Sequence, residues 1–398
     1  LHLLSRRQRQ MCIRDSYINI WNIWTWLCCI KLYIWTILGG KEMDNNKETK
    51  SSIKDIVKFL TKGTIFCVIL AIIMYIISPI FTPKWYNNMH GGATRRVKGI
   101  YTEPKDTIDI VGIGSSDLYA SGVSTMKLWN DMGTTTYHIG ISKQTTWTAY
   151  YMLKDFYKRQ SPKLAIINMD FCFETGDGYK KYIREGTDNM PMSINKLEMI
   201  NDPVFNNSLK DKISFVFPVI RFHSRWSELT KEELKQAYTN DNVPFKGYEL
   251  NKKIDPYKKP KKGQGLKDKN KQQFESIPDN ASEYLDKILE LCKQNNTEVL
   301  LIYVPTIRAW NQSKHDACTK YAEERNLTFI DYNSSDFDWK KNTRDNGYHL
   351  NIYGADIVTQ KLEETIKQYN LPNHKEDSNY QHWNESYQIY EELIKSKK

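Results

Sequence analysis

Two hydroxyls stand where a strand gives way to a helix. In VGIGSSDLY (residues 111–119) an apolar run, IDIVGI (108–113), stops at Gly114, and Ser115, Ser116 and Asp117 follow. A serine at the tip of such a turn can attack a carbonyl if an imidazole takes its proton and an acid orients the imidazole. Two other segments carry matching parts. HIGISKQ (138–144) offers a glycine turn, and RDNGYHLNIYGA (344–355) offers His349 with an acid close by. Each group also has an ordinary reading. A Gly-Ser-Ser turn commonly caps a helix, aspartates are frequent in surface turns, and Gly140 suits a backbone with positive φ. His138 alternates on a strand and reads as a satisfied core histidine.

The elements that must position these groups alternate regularly. Residues 108–113, 134–141, 163–171, 297–305 and 327–332 read as strands, with helices over 145–160, 282–296, 313–326 and 351–370 and another ending at Gly133. About five β-α units predict a flavodoxin-like three-layer α/β/α fold, a parallel sheet of about five strands with helices on both faces. Ligands of such sheets bind beyond the carboxyl ends of the strands, and all three segments fall there. Residues 172–281 break the rhythm and read as a helical insertion. The domain runs over 100–370, and the polar tail 371–398 leaves room for one helix.

The N-terminal part is read separately. MCIRDS (11–16) is what a common sequencing adaptor encodes, and residues 17–38 have no period, so we expect residues 1–42 to be untranslated and Met43 to be the start. The full chain has 57 Lys and Arg against 47 Asp and Glu, and its first 42 residues hold six basic and two acidic ones, leaving 51 against 45. That balance, with the basic residues gathered in KKPKKGQGLKDKNK (258–271), is no nucleic-acid footprint. The run is read as a solvated linker, or as an attraction for an anionic polymer. Residues 64–81 form 18 residues without a charge, enough to span a bilayer. Five lysines precede the span (Lys47, Lys50, Lys54, Lys58, Lys62) and four basic residues follow (Lys84, Arg95, Arg96, Lys98), a small asymmetry that favours residues 43–63 in the cytoplasm and the domain outside. After the exclusion, Cys67, Cys172, Cys292 and Cys318 remain, without metal spacing, and read as small apolar residues.

Taken in this order, the segments resemble the SGNH (GDSL-like) hydrolases, in particular the membrane-anchored DltD-like branch that serves acyl transfer at the cell surface. The resemblance covers most of residues 105–370. It makes Ser116 the nucleophile rather than Ser115, because Gly114-Ser115-Ser116 matches Gly-Asp-Ser. It implies that Gly140 in YHIGIS is an oxyanion glycine and that His349 is the histidine of Asp-x-x-His. Three residues before His349 stands Asn346, and the acid, Asp345, is one position further. Either Asp345 reaches the imidazole through a one-residue bulge, or Asn346 or a backbone carbonyl orients it. IINMDF offers Asn168 for the third block, although Ile166 occupies its glycine position. The oxyanion would rest on the backbone N–H groups of Ser116 and Gly140 and on Asn168.

The segment FPVIRFHSRWSEL (217–229) reads either as a cap helix whose Arg225 pairs a carboxylate, or as a lid in which His223, Arg225 and Trp226 bind substrate. The resemblance implies a membrane-anchored, extracytoplasmic serine esterase or acyltransferase. Its substrate would be the ester-linked acyl groups of a cell-envelope polymer, a teichoic acid or a polysaccharide, and it would need no cofactor and no metal. The alternative is a non-catalytic accessory protein that binds an acylated carrier or polymer for a membrane-bound O-acyltransferase. Nucleotide binding at GIGSS lacks both Gly-x-Gly-x-x-Gly and Gly-Lys-Ser/Thr.

Overall fold

A computed structural model of the chain describes residues 53–84, 92–174, 180–205, 208–239, 244–258, 272–334 and 336–396; residues 1–42 and the lysine run beyond Lys258 lie outside them. Helix α1 (Ile53–Phe81) carries an apolar stretch, Val57–Phe81, of 25 residues at a mean hydropathy of 2.6. It is long and apolar enough to cross a bilayer. The helix begins before residue 64, where the sequence places the span, at Ile53. The chain divides between Ile73 and Met74 into two compact units, and the second holds the sheet.

The elements of this second unit are α2 (Ala93–Gly99), β1 (Ile110–Ile113), α3 (Ser116–Tyr119), α4 (Thr125–Met132), β2 (Thr136–His138), α5 (Thr146–Phe156) and β3 (Leu164–Asn168). Then come α6 (Lys180–Thr187), α7 (Ile194–Asn201), α8 (Leu209–Val216), α9 (Val219–Phe222) and α10 (Lys231–Gln236). The alternation resumes with α11 (Asp279–Gln294), β4 (Glu298–Tyr303), α12 (Gln312–Glu323) and β5 (Thr328–Asp331). A two-residue antiparallel ribbon, β6 (Thr343–Arg344) with β7 (His349–Leu350), precedes α13 (Ile352–Ile366) and α14 (Gln381–Lys395). The ribbon is too short to leave a period in the sequence.

The five long strands form one parallel sheet in the order β2-β1-β3-β4-β5. This is the flavodoxin-like order, whose topological switch point lies between β1 and β3. Side chains alternate across it. Val111, Ile113, Ala165, Ile167, Leu301 and Tyr303 face a core closed by α5, α11 and α12. Ile110, Leu164, Ile166, Leu300 and Ile302 face a second core that takes in Val358, Leu362 and Ile366 of α13. The insertion contains helices and no strand among the described residues. Met199, Ile200, Phe205 and Phe215 pack there against Trp147, Tyr151 and Met152 of α5. The tail supplies α14, whose buried Trp383 stacks obliquely on Trp129 at 5.5 Å. Cys172, Cys292 and Cys318 are buried free thiols, and burial raises the pKa of each.

Candidate active site

The sheet leaves β1 at Ile113, and the chain turns through Gly114 and Ser115 directly into α3, placing Ser116 at the first helical position. Ser115 occupies the capping position in extended conformation, yet its hydroxyl caps nothing. It is buried and donates weakly, at 3.5 Å, to Asp117. The Ser116 hydroxyl instead meets His349 Nε2 at 2.9 Å. The other ring nitrogen, Nδ1, lies 3.1 Å from Asp345 Oδ2. Ser116, His349 and Asp345 thus form a continuous hydrogen-bonded chain across elements more than 200 residues apart in sequence.

How Asp345 gets there is a matter of backbone. Asp345, Asn346 and Gly347 have φ of 52°, 56° and 81°, three successive left-handed residues between β6 and β7. Only Gly, Asn and Asp enter this region at low cost, and the sequence supplies all three types in order. The tight turn adds the extra residue that separates Asp345 from the expected Asp-x-x-His spacing. Asn346 faces elsewhere: its Oδ1 accepts the backbone N–H of Lys258 at 3.3 Å. Of the two candidates, Asp345 is the one the structure brings to the imidazole. Its carboxylate also pairs with Arg344, a buried side chain that donates to the carbonyls of Leu350 (3.1 Å) and Ala120 (3.3 Å). The hydrogen bond from His349, aided by the Arg344 charge against partial desolvation, holds the Asp345 carboxyl below the ordinary carboxylate range. Sequence reasoning misses Arg344, whose only signal is its place beside Asp345.

The oxyanion candidates converge on the same turn. Gly140 follows β2, and a Cβ on it would come within 2.7 Å of the Gly114 carbonyl and 2.6 Å of the Tyr119 ring. Its φ is not positive, so close approach rather than backbone handedness requires glycine here. Asn168 ends β3 beside Gly114, whose own Cβ would stand 3.1 Å from the Asn168 Cβ. The Asn168 Oδ1 accepts the Val304 N–H at 3.0 Å, which fixes the amide's orientation. Its Nδ2 is buried and without a partner. A buried amide N–H₂ left unpaired is costly, which makes Asn168 Nδ2 a candidate donor to an acceptor at this turn.

A second carboxyl pair lies just behind the serine. Burial, then the neighbouring Asp170, raise the Asp117 pKa strongly. Burial acts on Asp170 too, but the Lys314 charge and hydrogen bonds from Asp117 and Tyr303 hold it below its ordinary value. Tyr303 Oη donates to it at 2.8 Å. Of the pair, Asp117 is therefore the carboxyl pushed toward the protonated form and Asp170 the one pushed toward the carboxylate.

His138 is buried, with Nε2 at 2.9 Å from the Val123 carbonyl and burial pulling its pKa down to about 4. It is a neutral core histidine, although its Nδ1 has no partner. Of the two readings of residues 217–229, the contacts match the cap, in which Arg225 pairs a carboxylate. Arg225 donates to the Phe81 carbonyl at the end of α1 (2.9 Å) and pairs with Glu233 (2.5 Å). Trp226 is 73% exposed, and His223 bonds the Ile220 carbonyl. No hydrogen bond, ion pair or ring contact among the described residues joins His223, Arg225 or Trp226 to Ser116, His349 or Asp345. Arg225 thus joins α10, through Glu233, to the end of α1.

No protein-family model matches the sequence, and no curated protein matches it. Among solved structures, the chain is similar to a Bacteroides fragilis protein assigned as an acylhydrolase, with 14% identity over 69% of this chain and 95% of that one and a TM-score of 0.35. It is also similar to a GDSL-like lipase from Bacteroides thetaiotaomicron, with 12% identity over 71% of this chain and 99% of that one and a TM-score of 0.34. Neither likeness is close enough to carry an argument about fold or reaction, which rest on the sheet order and the side-chain geometry above.

Proposed function

We propose that the protein is a membrane-anchored serine esterase or O-acyltransferase of SGNH (GDSL-like) type, of the DltD-like anchored kind. The observation that carries this reading is the hydrogen-bonded chain Ser116–His349–Asp345 at the carboxyl edge of the sheet. Ser116 Oγ attacks the ester carbonyl while His349 Nε2 takes its proton. Asp345 orients the imidazole and stabilises it once charged. The tetrahedral oxyanion accepts from the backbone N–H groups of Ser116 and Gly140 and from Asn168 Nδ2. Collapse breaks the ester C–O bond, and His349 returns the proton to the leaving alcohol. The acyl-serine is then released to water or to an acceptor hydroxyl, with His349 again as the base.

The apolar α1 and the lysines before it favour a catalytic domain outside the cytoplasm, where the acyl groups of a teichoic acid or surface polysaccharide are the substrate. The bond between Asp345 and His349 favours this reading over a non-catalytic accessory that serves a membrane-bound O-acyltransferase. A fluorophosphonate probe should label Ser116 and fail on Ser116→Ala, while Ser115→Ala still labels; the reverse pattern, or no labelling of folded wild type, would sink the reaction. Protease added to intact cells stripped of outer layers should digest the domain beyond α1, and protection until lysis would remove the envelope substrate.

A further inference from the structure

A cavity of about 320 Å³ lies against the last turns of α1, lined by residues of α2, α7, α8 and the connections beside them, all within residues 74–398. Its wall starts at Tyr75, inside the apolar stretch, and reaches Lys84, just past its end at Phe81. Three lysines, Lys84, Lys98 and Lys196, line it with one acid, Asp188. Asp188 is already matched by Arg184 at 3.3 Å. Lys84 Nζ donates to the carbonyls of Pro79 (2.5 Å) and Thr82 (2.9 Å), and Lys196 Nζ to that of Met190 (3.1 Å). Among the described residues, no carboxylate lies within ion-pair distance of Lys84 or Lys196. Carbonyls hold these ammonium groups in place, and burial, joined at Lys84 by the Lys98 charge, outweighs the Glu233 charge at Lys84 and the Asp188 charge at Lys196 and pulls both pKa values down to about 8. An anion would relieve both effects.

The surroundings say which anion. The insertion grips the end of α1: Val219 N–H donates to Ser78 Oγ (3.3 Å), Tyr238 Oη to the Ile76 carbonyl (2.5 Å) and Arg225 to the Phe81 carbonyl (2.9 Å). The same helices and connections leave Ile194 73%, Leu209 74%, Trp226 73% and Tyr238 61% exposed. Tyrosine and tryptophan beside the end of a spanning helix are what the headgroup layer favours. We propose that this cavity binds the phosphate of an anionic phospholipid headgroup through Lys84, Lys98 and Lys196, with Tyr75, Met192 and Val216 against its glycerol and first methylenes. The site needs α1 in a bilayer and is independent of the serine chemistry.

The test uses the full chain in neutral detergent, with phosphatidylglycerol retention followed by native mass spectrometry. Wild type should retain phosphatidylglycerol at least tenfold better than phosphatidylcholine. Lys84→Gln and Lys98→Gln should each lower retention roughly fivefold, the factor one charge contributes at an anionic surface, whereas Lys287→Gln on α11 should not change it. Equal retention of the two lipids by wild type overturns the proposal without any variant. Unchanged retention in both folded cavity variants overturns it too. Tight binding of inorganic phosphate or a glycerol-phosphate oligomer with no lipid preference would mean a soluble anion or polymer site instead.

Discussion

Asp345→Asn and Asn346→Gly separate two ways of orienting His349. Asp345→Asn keeps the shape but removes the charge that the imidazolium feels. A charge-assisted hydrogen bond contributes roughly 1.5–3 kcal/mol. A fully buried triad aspartate is worth about 10⁴ in turnover, but the Asp345 side chain is 42% exposed, and water screens it. Taking about 2–3 kcal/mol in the transition state, at 1.36 kcal/mol per decade, predicts a fall of roughly 30- to 150-fold. Asn346→Gly keeps the left-handed backbone and loses only the bond to the Lys258 N–H, so turnover should stay within about twofold. Turnover of a nitrophenyl ester, divided by sites titrated with a fluorophosphonate, reads the chemistry, and thermal melting checks that the Arg344 pairing has not collapsed the ribbon. A larger loss in Asn346→Gly than in Asp345→Asn would refute the assignment. The pH profile adds a sign. The depressed Asp345 pKa means its ionised form contributes above the ordinary carboxylate range and is lost only as pH falls through a still lower value. Turnover should therefore show no Asp345 limb between about pH 5 and 6.

Asn168→Ala should lower kcat by roughly 10²–10³ with little change in KM if Nδ2 is an oxyanion donor; a purely structural role would lower the melting temperature and leave kcat per titrated site intact. Glu103 is buried with Lys246 at 2.7 Å and His382 at 3.3 Å. Burial would raise its pKa, but the His382 hydrogen bond and the Lys246 charge outweigh it and hold it low, so its contribution is present above the ordinary glutamate value and is lost as pH falls through the depressed one. Glu103→Gln leaves Lys246 buried and unpaired, and denaturant titration should show a loss of roughly 3–5 kcal/mol at neutral pH; a loss under about 1 kcal/mol would mean the pair is solvated. Arg225→Met should reduce thermal stability and leave turnover of a small soluble ester within about twofold; lost turnover at unchanged stability would return the segment to the active site.

The strands and helices were legible because their signals are local. The period of two or 3.6, the glycine that ends α4 and the threonine that opens α5 all act within a few residues. Ser116 and His349 were legible as types at strand ends. The choice between Asp345 and Asn346 was not, because spacing counts residues while the turn sets direction. Three left-handed residues turn a separation of four into contact, and Asp-Asn-Gly was the signal that they could. The two readings of Arg225 were inseparable in sequence for a related reason: a guanidinium in a helical segment has several partners within reach, and only the packing shows that it reached the end of α1. The unpaired amide of Asn168 and the opposite pKa shifts of Asp117 and Asp170 depend on the absence or presence of a third group, which no pattern records.

Arg96 shows how far the site depends on such groups. It is buried on α2, the helix nearest in sequence to the end of α1, and its Nε donates to the Gly140 carbonyl at 3.1 Å. The guanidinium lies 3.6 Å over the Tyr119 ring, and Nη1 reaches Glu249 at 3.5 Å. Tyr119 ends the short helix that Ser116 begins, and its hydroxyl meets Ser142 Oγ at 3.0 Å, in the loop that follows Gly140. One side chain thus bears on both the nucleophile's helix and the glycine loop opposite. The carbonyl held by Arg96 belongs to the Gly140–Ile141 peptide, so the contact pins the chain directly after the Gly140 N–H. Arg96, Tyr119 and Glu249 could not themselves perform the proposed reaction, but they tie together the helix of Ser116 and the Gly140 loop, whose N–H groups that reaction would need placed to within a few tenths of an ångström.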